Sequence, residues 1–347
     1  MDYRKNGHLY GLHRVCEPEG ALPQAASELD TTRPPWDNEI VIDVDTLNID
    51  SASFHQIVES VGRDEQAVAD RVTTIVGRLG KMQNPVTGSG GMLLGTVEDL
   101  GPEYDGPVDV NVGDRIATLV SLTLTPLELL GIEKVHLDAD QVEVEGRAFL
   151  WPSSPLVVMP EDLPERLALS VLDVCGAPTQ TQRLVEGAGS VLILGMGKSG
   201  MMCAAAARDT MGEDGQICAF DLNDENMVAL HEAGLIDAFR TGNAREPVGV
   251  LETVQQMNDG ELFDVVINTC NVSETEMSAI LPCRDRGKVY FFNMATSFAR
   301  AALGCEGVGK DVDLLIGNGY AHGHAELSLE LVRKYEVVRE RIGALLG

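Results

Sequence analysis

The sequence predicts an α/β protein made of a β-rich amino-terminal domain and a carboxyl-terminal doubly wound parallel sheet. Short β-branched runs separated by Gly and Pro fill the first half, for example residues 39–49 and 113–124. From about residue 165, continuous apolar runs alternate with helical stretches, as buried parallel strands do. A chain of 347 residues accommodates two such domains. We therefore expect one domain over 1–165 and a second over 166–347, with the last residues free to rejoin the first domain.

Four segments predict the strands of a small barrel or sandwich in the amino-terminal half. They cover residues 39–49, 95–101, 113–124 and 134–146. Pro and Gly pairs such as Gly101-Pro102 and Gly106-Pro107 mark the turns between strands. One helix-like insert over 59–81 interrupts this pattern, because its apolar residues recur at helical spacing. Those residues are Val68, Val72, Ile75, Val76 and Leu79.

Five continuous apolar runs predict the parallel strands of the second half. They cover residues 191–195, 216–221, 263–270, 287–295 and 311–318. Helical stretches separate them, which is typical of a doubly wound sheet. The closing run 324–346 predicts one terminal helix with an apolar face that packs on the domain. That face carries Leu327, Leu331, Tyr335, Val338, Ile342 and Leu345.

The charge balance argues against two classes of partner. The chain has 54 acidic and 26 basic side chains, a formal net charge of −28. Nucleic acids and anionic membranes attract basic surfaces, so we expect neither as a partner. No run reaches the roughly 18–20 apolar residues that a membrane helix needs. The excess charge fits either a surface kept hydrated in high salt or an ordinary acidic protein, and composition leaves both open.

The seven cysteines are far apart in the sequence and include no C-x-x-C pair. An odd number of dispersed cysteines without a secretory leader indicates free thiols in a reducing compartment. We therefore expect a cytoplasmic protein.

The glycine pattern G-x-G-x-x-G at Gly195, Gly197 and Gly200 directly follows an apolar strand and precedes a helix. The first glycine permits a tight turn, the second lets the backbone approach a pyrophosphate, and the third lets the helix pack on the strand. The helix amino terminus then faces the phosphates with its free N–H groups. This setting predicts a dinucleotide-binding turn. It also includes Met196, Lys198 and Ser199.

Asp221, at the end of the next strand, predicts NAD as the dinucleotide. A carboxylate there accepts hydrogen bonds from the adenosine ribose and repels the 2′-phosphate of NADP. Leu222 follows it, and no arginine stands immediately after. The alternative is that Asp221 caps the helix that begins near residue 224. Further polar residues at the carboxyl ends of strands should lie near the nicotinamide, although each also fits a simple turn. These residues are Thr269, Asn271 and Asn293.

The order of the two domains resembles the medium-chain dehydrogenase/reductase superfamily over nearly the whole chain. Residues 39–57, 95–119 and 171–184 are similar to that superfamily's catalytic strand and loop, its G-x-V…V-G-D-R segment and its crossing helix. The resemblance implies a GroES-like first domain and a Rossmann second domain. Zinc ligands are lacking at the matching positions: Asp50, Gly91 and Met92 replace them, and only Cys175 remains. Since catalytic zinc needs three protein ligands, we expect no metal.

Within the superfamily, the runs at 49–60, 84–101 and 172–182 resemble the L-erythro-3,5-diaminohexanoate dehydrogenases. The run Asn-Pro-Val-Thr-Gly-Ser-Gly-Gly-Met at 84–92 is the most specific part of the match. The resemblance implies NAD-dependent oxidative deamination of a diamino acid at C3, with release of ammonium. Dehydrogenases of this superfamily commonly dimerise through the last strand of the dinucleotide domain, so the resemblance implies a homodimer, which the apolar run 311–318 would permit.

The same alignment gathers polar candidates around the vacated metal position. A base is needed because the substrate ammonium must lose a proton before hydride transfer. Asp50 or Asp173 is the candidate for the base or for the ammonium partner, and His55 for a proton shuttle. Each residue also has a structural alternative. Asp50 could cap a helix, Asp173 could form a buried ion pair, and His55 could be an ordinary packed histidine. The full set is Asp50, Ser51, Ser53, His55, Thr87, Ser89, Asp173 and Cys175.

Arg78 and Lys81 are the basic residues nearest in sequence to the glycine-rich turn 88–91, and we expect one of them to bind the substrate carboxylate. Two other functions stay open at this point. A zinc-free enone or quinone reductase would more naturally use NADPH, which Asp221 disfavours. A non-catalytic NAD-binding protein would have a cleft stripped of polar side chains, whereas many polar candidates are present.

Overall fold

A computed structural model describes residues 2–119 and 121–346 of the chain. It divides into two compact units between Asp162 and Leu163. We call residues up to Asp162 the first unit and those from Leu163 the second unit.

A six-stranded antiparallel sheet forms the centre of the first unit. Its strand order is β6-β7-β3-β4-β5-β8, while β1 and β2 pair separately. The strands are β1 (Val15–Glu17), β2 (Glu28–Leu29), β3 (Ile40–Ile49), β4 (Gly91–Leu100), β5 (Arg115–Thr118), β6 (Leu127–His136), β7 (Gln141–Leu150) and β8 (Leu156–Val158), and the helices are α1 (Ser51–Val61) and α2 (Glu65–Leu79). Apolar side chains of α2, such as Val68 and Val72, join the buried core of the sheet.

Three sequence predictions for this unit are wrong. The strand predicted over 113–124 ends at Thr118, and Leu122–Leu124 form a short 3₁₀ helix. The insert predicted as one helix over 59–81 is two helices, because Gly62 has a left-handed φ of 89° and Asp64 starts a new, capped helix. The run 134–146, predicted as one strand, contains the end of β6, a tight turn at Asp140 and the start of β7. Asp140 adopts a positive φ of 55°, which a short polar side chain tolerates.

A six-stranded parallel sheet forms the centre of the second unit. Its strands are β9 (Ser190–Leu194), β10 (Gln216–Asp221), β11 (Ala238–Thr241), β12 (Phe263–Asn268), β13 (Cys283–Phe291) and β14 (Asp313–Ile316). They lie in the order β11-β10-β9-β12-β13-β14, and all pairs are parallel. Counted along the chain this is 3-2-1-4-5-6, the order of a doubly wound dinucleotide fold. The predicted α/β fold class is confirmed.

Helices connect these strands and continue beyond them to the end of the chain. They are α3 (Glu165–Leu172), α4 (Gly176–Val185), α5 (Lys198–Met211), α6 (Glu225–Glu232), α7 (Pro247–Gln255), α8 (Glu276–Ile280), α9 (Phe298–Val308), α10 (His324–Lys334) and α11 (Glu336–Ala344). The predicted single helix over 324–346 is wrong, since Tyr335 is extended between α10 and α11 and Leu345 is exposed. The short, partly exposed strand β11 carries no long apolar run, and the sequence reasoning missed it.

Within the described residues, no helix is both long enough and apolar enough to span a membrane.

Candidate active site

The glycine turn between β9 and α5 is shaped by its backbone geometry. Gly195 has a left-handed φ of 87°, and a Cβ on Gly200 would lie 1.9 Å from the carbonyl oxygen of Gly195. Side chains are therefore excluded at both positions. A Cβ on Gly197, in contrast, would meet no atom within 4 Å. The turn thus leaves free space beside Gly197, at the amino terminus of α5, where a pyrophosphate fits.

Asp221 is tied to this turn by main-chain hydrogen bonds. Its carboxylate accepts the N–H of Met196 and the N–H of Leu222. Asn226 adds a hydrogen bond of 2.7 Å from Nδ2 to the carbonyl oxygen of Met196. The N-cap position of α6 is taken by Asp224, so Asp221 does not cap that helix. The carboxylate lies at the carboxyl end of β10, where it faces the glycine turn.

Two of the three polar residues predicted at strand ends contact the same region. Thr269 Oγ1 donates toward the carbonyl oxygens of Leu194 (3.1 Å) and Gly195 (2.8 Å). Asn293 donates from Nδ2 to the carbonyl oxygen of Asn268 at 3.3 Å. Asn271 is instead exposed in the loop after β12. The structure therefore joins Thr269 to the glycine turn and leaves Asn271 apart from it.

Asn268 is a residue of this edge that the sequence reasoning missed. It is fully buried, donates from Nδ2 to Thr275 Oγ1 at 2.9 Å and accepts the N–H of Cys270 at 3.0 Å. These bonds hold the loop after β12 against the strand. Its position as the last residue of an apolar strand was the available signal.

Three predicted site residues lie at helix ends of the second unit. Asp173 follows the last residue of α3, Cys175 precedes the first residue of α4, and Lys198 is the first residue of α5. Lys198 Nζ is 3.3 Å from Asp173 Oδ2, and both side chains are partly exposed. The structural alternative for Asp173, an ion pair, is therefore present. Ser199, the next residue after Lys198, is partly exposed in the first turn of α5. Cys175 is buried, and burial, with a smaller effect of the Asp173 carboxylate, raises the pKa of its thiol to about 12. Cys175 is therefore a neutral thiol at physiological pH.

Three hydroxyl groups of the first unit form a hydrogen-bonded triangle. Ser53 Oγ lies 2.6 Å from both Thr87 Oγ1 and Ser89 Oγ, which are 3.3 Å from each other. Ser53 is buried, whereas Thr87 and Ser89 reach the surface. Each hydroxyl has one proton to donate, so the three groups can donate around the triangle, with Ser53 Oγ giving one hydrogen bond and accepting the other. Thr87 and Ser89 carry the two hydroxyl groups of the triangle that a ligand could reach.

Asn84 shapes the loop that carries two of these hydroxyls. It is fully buried and donates from Nδ2 to the carbonyl oxygen of Ser53 (3.1 Å) and to Gln56 Oε1 (2.8 Å). Its backbone bonds Gly88 and Ser89 across the turn. Asn84 opens the run 84–92 that the sequence analysis singles out, but nothing in that run indicates that its side chain is buried. The glycines that follow are required by space, since a Cβ on Gly91 would lie 2.1 Å from the carbonyl oxygen of Asn48.

Asp50 is the N-cap of α1. Its Oδ1 accepts the N–H groups of Ala52 (3.0 Å) and Ser53 (3.2 Å). In the described part of the chain, Oδ2 has no hydrogen-bond partner. Asp50 therefore caps α1 through Oδ1, and its other carboxylate oxygen, Oδ2, is available to a ligand.

Ser51 and His55 both face Asp140, a residue that the sequence reasoning missed. Ser51 Oγ donates to Asp140 Oδ2 at 2.5 Å, and His55 Nε2 is 3.9 Å from Asp140 Oδ1. His55 is largely exposed. Asp140 reaches α1 because the β6–β7 turn places it beside the end of β3, where its carbonyl oxygen accepts the N–H of Ile49. Only the strand pairing reveals this proximity, since the two segments are far apart in sequence.

Lys81 does not have the role that the sequence suggested. It is fully buried and donates from Nζ to the carbonyl oxygens of Pro23 (2.9 Å) and Gln24 (3.0 Å). Burial lowers the pKa of its ammonium group to about 8. A buried ammonium that is bonded to main-chain carbonyls is a structural anchor. Arg78 is exposed on α2 and stays the sequence-based candidate for a carboxylate partner.

A metal site would need a group of ligands. Among residues 2–119 and 121–346, no three His, Cys, Asp or Glu side chains are grouped so that they could hold an ion.

Comparison with known proteins identifies relatives over the whole chain. The chain is 52% identical to an L-erythro-3,5-diaminohexanoate dehydrogenase of Acetoanaerobium sticklandii, over 96% of this chain and 97% of that protein. It is 49% identical to the protein of the same name from Fusobacterium nucleatum, over 97% of this chain and 98% of that protein. Residues 13–160 match the family model of the L-erythro-3,5-diaminohexanoate dehydrogenase N-terminal domain.

Solved structures support the fold independently. Galactitol-1-phosphate dehydrogenase from Escherichia coli superposes with a TM-score of 0.53 at 12% identity, covering 89% of this chain and 86% of that one. Such a distant likeness concerns the fold alone. The identity and coverage of the two sequence relatives show that the chain is a dehydrogenase and belongs to the L-erythro-3,5-diaminohexanoate dehydrogenase family.

Proposed function

We propose that the protein oxidises L-erythro-3,5-diaminohexanoate at C3 with NAD, giving 5-amino-3-oxohexanoate and ammonium. The observation that carries this proposal is the identity of about half of all residues with two dehydrogenases named for that substrate, over nearly the full length of each chain. Such identity covers both the first unit, which holds the hydroxyl triangle, and the second unit, which holds the glycine turn.

The choice of NAD over NADP rests on Asp221. A dehydrogenase of this family uses a nicotinamide cofactor, and residues 195–200 would hold its pyrophosphate on the amino terminus of α5. Asp221 and Leu222, at the end of β10, would meet the adenosine ribose. A carboxylate that is anchored at this point repels a 2′-phosphate and accepts the ribose hydroxyls. Thr269 and Asn293 would complete the cofactor site at the ends of β12 and β13, and Asn271 contributes least because of its exposure.

The protein has two tasks in this reaction: to remove a proton from the substrate nitrogen and to stabilise the positive charge that develops at C3. Bound NAD supplies the acceptor for the C3 hydride. The substrate nitrogen must lose a proton before that transfer, and carbon then becomes part of a cationic iminium that water hydrolyses. A carboxylate stabilises both the ammonium and the developing cation. We assign this role to Asp50 in the first unit, through its Oδ2, and we assign Thr87 and Ser89 to a polar group of the substrate.

A metal is not needed in this scheme, since an iminium carries its own positive charge. The residues at the positions of the superfamily's zinc ligands fit that view. Asp50 already caps α1 through Oδ1, and Cys175 is a buried neutral thiol. Zinc ligands in proteins are thiolates, imidazoles or carboxylates that converge on one point. The proposal is therefore of a zinc-free dehydrogenase.

We also propose that two chains associate through β14. This strand lies at the edge of the parallel sheet, and an open edge is a surface for pairing. The second unit also exposes apolar side chains on this strand and on α9, which precedes it in the chain: Ile316, Phe298, Leu303 and Val308. A second copy of the chain would cover this self-complementary surface.

A substrate panel tests the function. Purified protein is assayed for NADH formation with NAD and L-erythro-3,5-diaminohexanoate, and for NADPH oxidation with enones and quinones. We expect NADH formation with the diamino acid and negligible NADPH oxidation. Oxidation of NADPH by an enone with no reaction of the diamino acid would replace this function by the reductase alternative. Tight NAD binding with neither reaction would indicate a non-catalytic binding protein.

A further inference from the structure

The segment that follows β14 carries three aromatic or titratable side chains in one cluster. Tyr320, His322 and His324 come directly after the last strand of the parallel sheet. The ring of Tyr320 lies 5.7 Å from that of His322 and 5.0 Å from that of His324, edge-on to both. In open parallel sheets, ligands bind beyond the carboxyl ends of the strands. The cluster follows the carboxyl end of β14, and Ser328 of α10 donates from Oγ to the carbonyl oxygen of Cys175 at 3.4 Å, which places the start of α10 beside that residue.

The main chain before this cluster is held firmly. Gln180 of α4 donates from Nε2 to the carbonyl oxygens of Asn318 (3.0 Å) and Tyr320 (3.2 Å). A Cβ on Gly176 would lie 2.4 Å from the carbonyl oxygen of Asn318, so the loop packs directly on the start of α4. Side chains that project from this loop are thus placed on a rigid support.

His324 contains a polar atom that its surroundings leave unsatisfied. The residue is 4% exposed, and within the described residues its Nε2 has no hydrogen-bond partner. In the neutral ring one nitrogen carries the proton, and the unpartnered Nε2 offers a free lone pair when that proton is on Nδ1. A buried nitrogen without a partner costs about 1–3 kcal/mol. Such a cost is explained when the lone pair has a task in a complex.

The charges around His324 favour the neutral ring. Burial is the largest influence and lowers the pKa of His324, and His322 acts in the same direction. Glu326, on the same helix, opposes it. Helix α10 packs against α3, α4, α5 and α11, and the titratable groups in the turn between α3 and α4 are Asp173 and Cys175, whose thiol is neutral. The ring is therefore unprotonated near neutral pH and able to accept a proton.

We propose that His324 is the base that accepts the proton of the substrate's C3 ammonium group, an assignment that rests on the proposed function. Nε2 takes one proton and leaves a neutral amine. The C3 hydrogen then departs with its electron pair to NAD, and the iminium adds water and releases ammonium. The overall balance is one substrate ammonium, one NAD and one water in, and one ketone, one ammonium, one NADH and one proton out. That proton leaves through the imidazolium of His324.

His324→Gln tests the assignment, with His231→Gln as the matched control. Like His324, His231 packs edge-on against an aromatic ring, that of Phe239, but it lies on α6, and its Nδ1 is 3.0 Å from the carbonyl oxygen of Ile236. We expect His324→Gln to lower kcat by about a hundredfold or more, as loss of a general base does. The KM for NAD should stay within about twofold, and imidazole should restore part of the kcat of His324→Ala. His231→Gln should keep the wild-type kcat.

The pH profile separates a catalytic from a packed histidine. In the wild type, kcat should fall on the acid side with an apparent pKa below 6.5, the ordinary value for histidine, and His324→Gln should lack this limb. NADH-binding fluorescence and urea unfolding report whether each variant is folded; His324→Asn replaces Gln if needed. Full kcat and an unchanged acid limb in a folded variant would overturn the assignment and leave the proposed function standing. No turnover of the diamino acid by the wild type would overturn both.

Discussion

At the scale of single residues, Asp221 links the end of β10 to the glycine turn through hydrogen bonds. Its carboxylate accepts main-chain N–H groups from both sides, at Met196 and Leu222, which fixes it at the end of the strand. Asp221→Ala should raise the KM for NAD about ten- to a hundredfold, because hydrogen bonds to a charged group contribute about 1.5–3 kcal/mol. Steady-state kinetics with NAD as the varied substrate measures this effect.

Asp224→Ala is the control for that measurement. Asp224 lies three positions along the chain, at the N-cap position of α6, and forms no side-chain capping bond. Its removal should leave the KM for NAD unchanged. Equal effects of the two substitutions would show that Asp221 contributes only to the local turn.

Lys81 makes stability depend on pH. Its ammonium group has a pKa of about 8 in the folded protein and 10.5 when unperturbed. Between these values the unfolded chain binds more protons than the folded chain, so raising the pH stabilises the fold. We expect the free energy of unfolding of the wild type to rise, relative to Lys81→Met, by about 1–3 kcal/mol from pH 7 to pH 10.

Urea unfolding of both proteins at several pH values measures that difference, and the subtraction removes the titration of the other groups. A difference that is flat over this range, or that falls with pH, would contradict a buried, charged Lys81.

The sequence predicts residues whose role depends on local backbone conformation. It does not predict residues whose role depends on contacts with segments far away in the sequence. Gly195 and Gly200 follow from the motif, because the tight turn dictates where a side chain is excluded. Asp140 reaches Ser51 only through strand pairing, and Lys81 is buried only because the chain around Pro23 folds over it. Neither contact leaves a periodic signal in the sequence.

At the scale of elements, two glycines of the turn between β9 and α5 have different roles. Gly200 is needed for packing, and Gly197 leaves room for the cofactor. Gly200→Ala should lower the free energy of unfolding by about 1–3 kcal/mol, because the new Cβ overlaps the carbonyl oxygen of Gly195. Gly197→Ala should leave stability unchanged, since open space surrounds that position, and should weaken NAD binding. Chemical unfolding and a fluorescence titration with NADH, applied to both variants, measure the two effects. Loss of stability in Gly197→Ala with normal NADH affinity would contradict this account.

Element types were easier to predict than element ends. Continuous apolar strands such as β10 and β12 were recognised because parallel strands buried on both faces have no polar positions. The break between α1 and α2 at Gly62 and the break between α10 and α11 at Tyr335 were missed, since apolar spacing continues across both. Local backbone conformation, and not periodicity, ends these helices.

At the scale of the whole molecule, the exposed apolar surface of α9 and β14 predicts a dimer. Light scattering should give about twice the chain mass of 37.3 kDa. Leu303→Glu should shift the protein toward the monomer, because it places a charge in the middle of that surface. Val248→Glu, at an equally exposed apolar residue of α7, should not. A monomeric wild type at micromolar concentration would contradict the proposed association.

The net charge of −28 also acts at this scale. It argues against nucleic-acid and membrane partners, but it does not identify the few carboxylates that bind substrate, because most of the 54 acidic side chains reach the surface. The structure separates Asp50 from that majority by its capping role and its available Oδ2.

The measurement that tests the central claim most directly is the fate of the C3 hydrogen. L-erythro-3,5-diaminohexanoate with deuterium at C3 is incubated with the protein and NAD, and NADH, its deuterium content and ammonium are determined together. The account predicts one ammonium per NADH and one deuterium transferred to the nicotinamide of each NADH. NADH without deuterium, or without an equal amount of ammonium, would contradict oxidative deamination at C3.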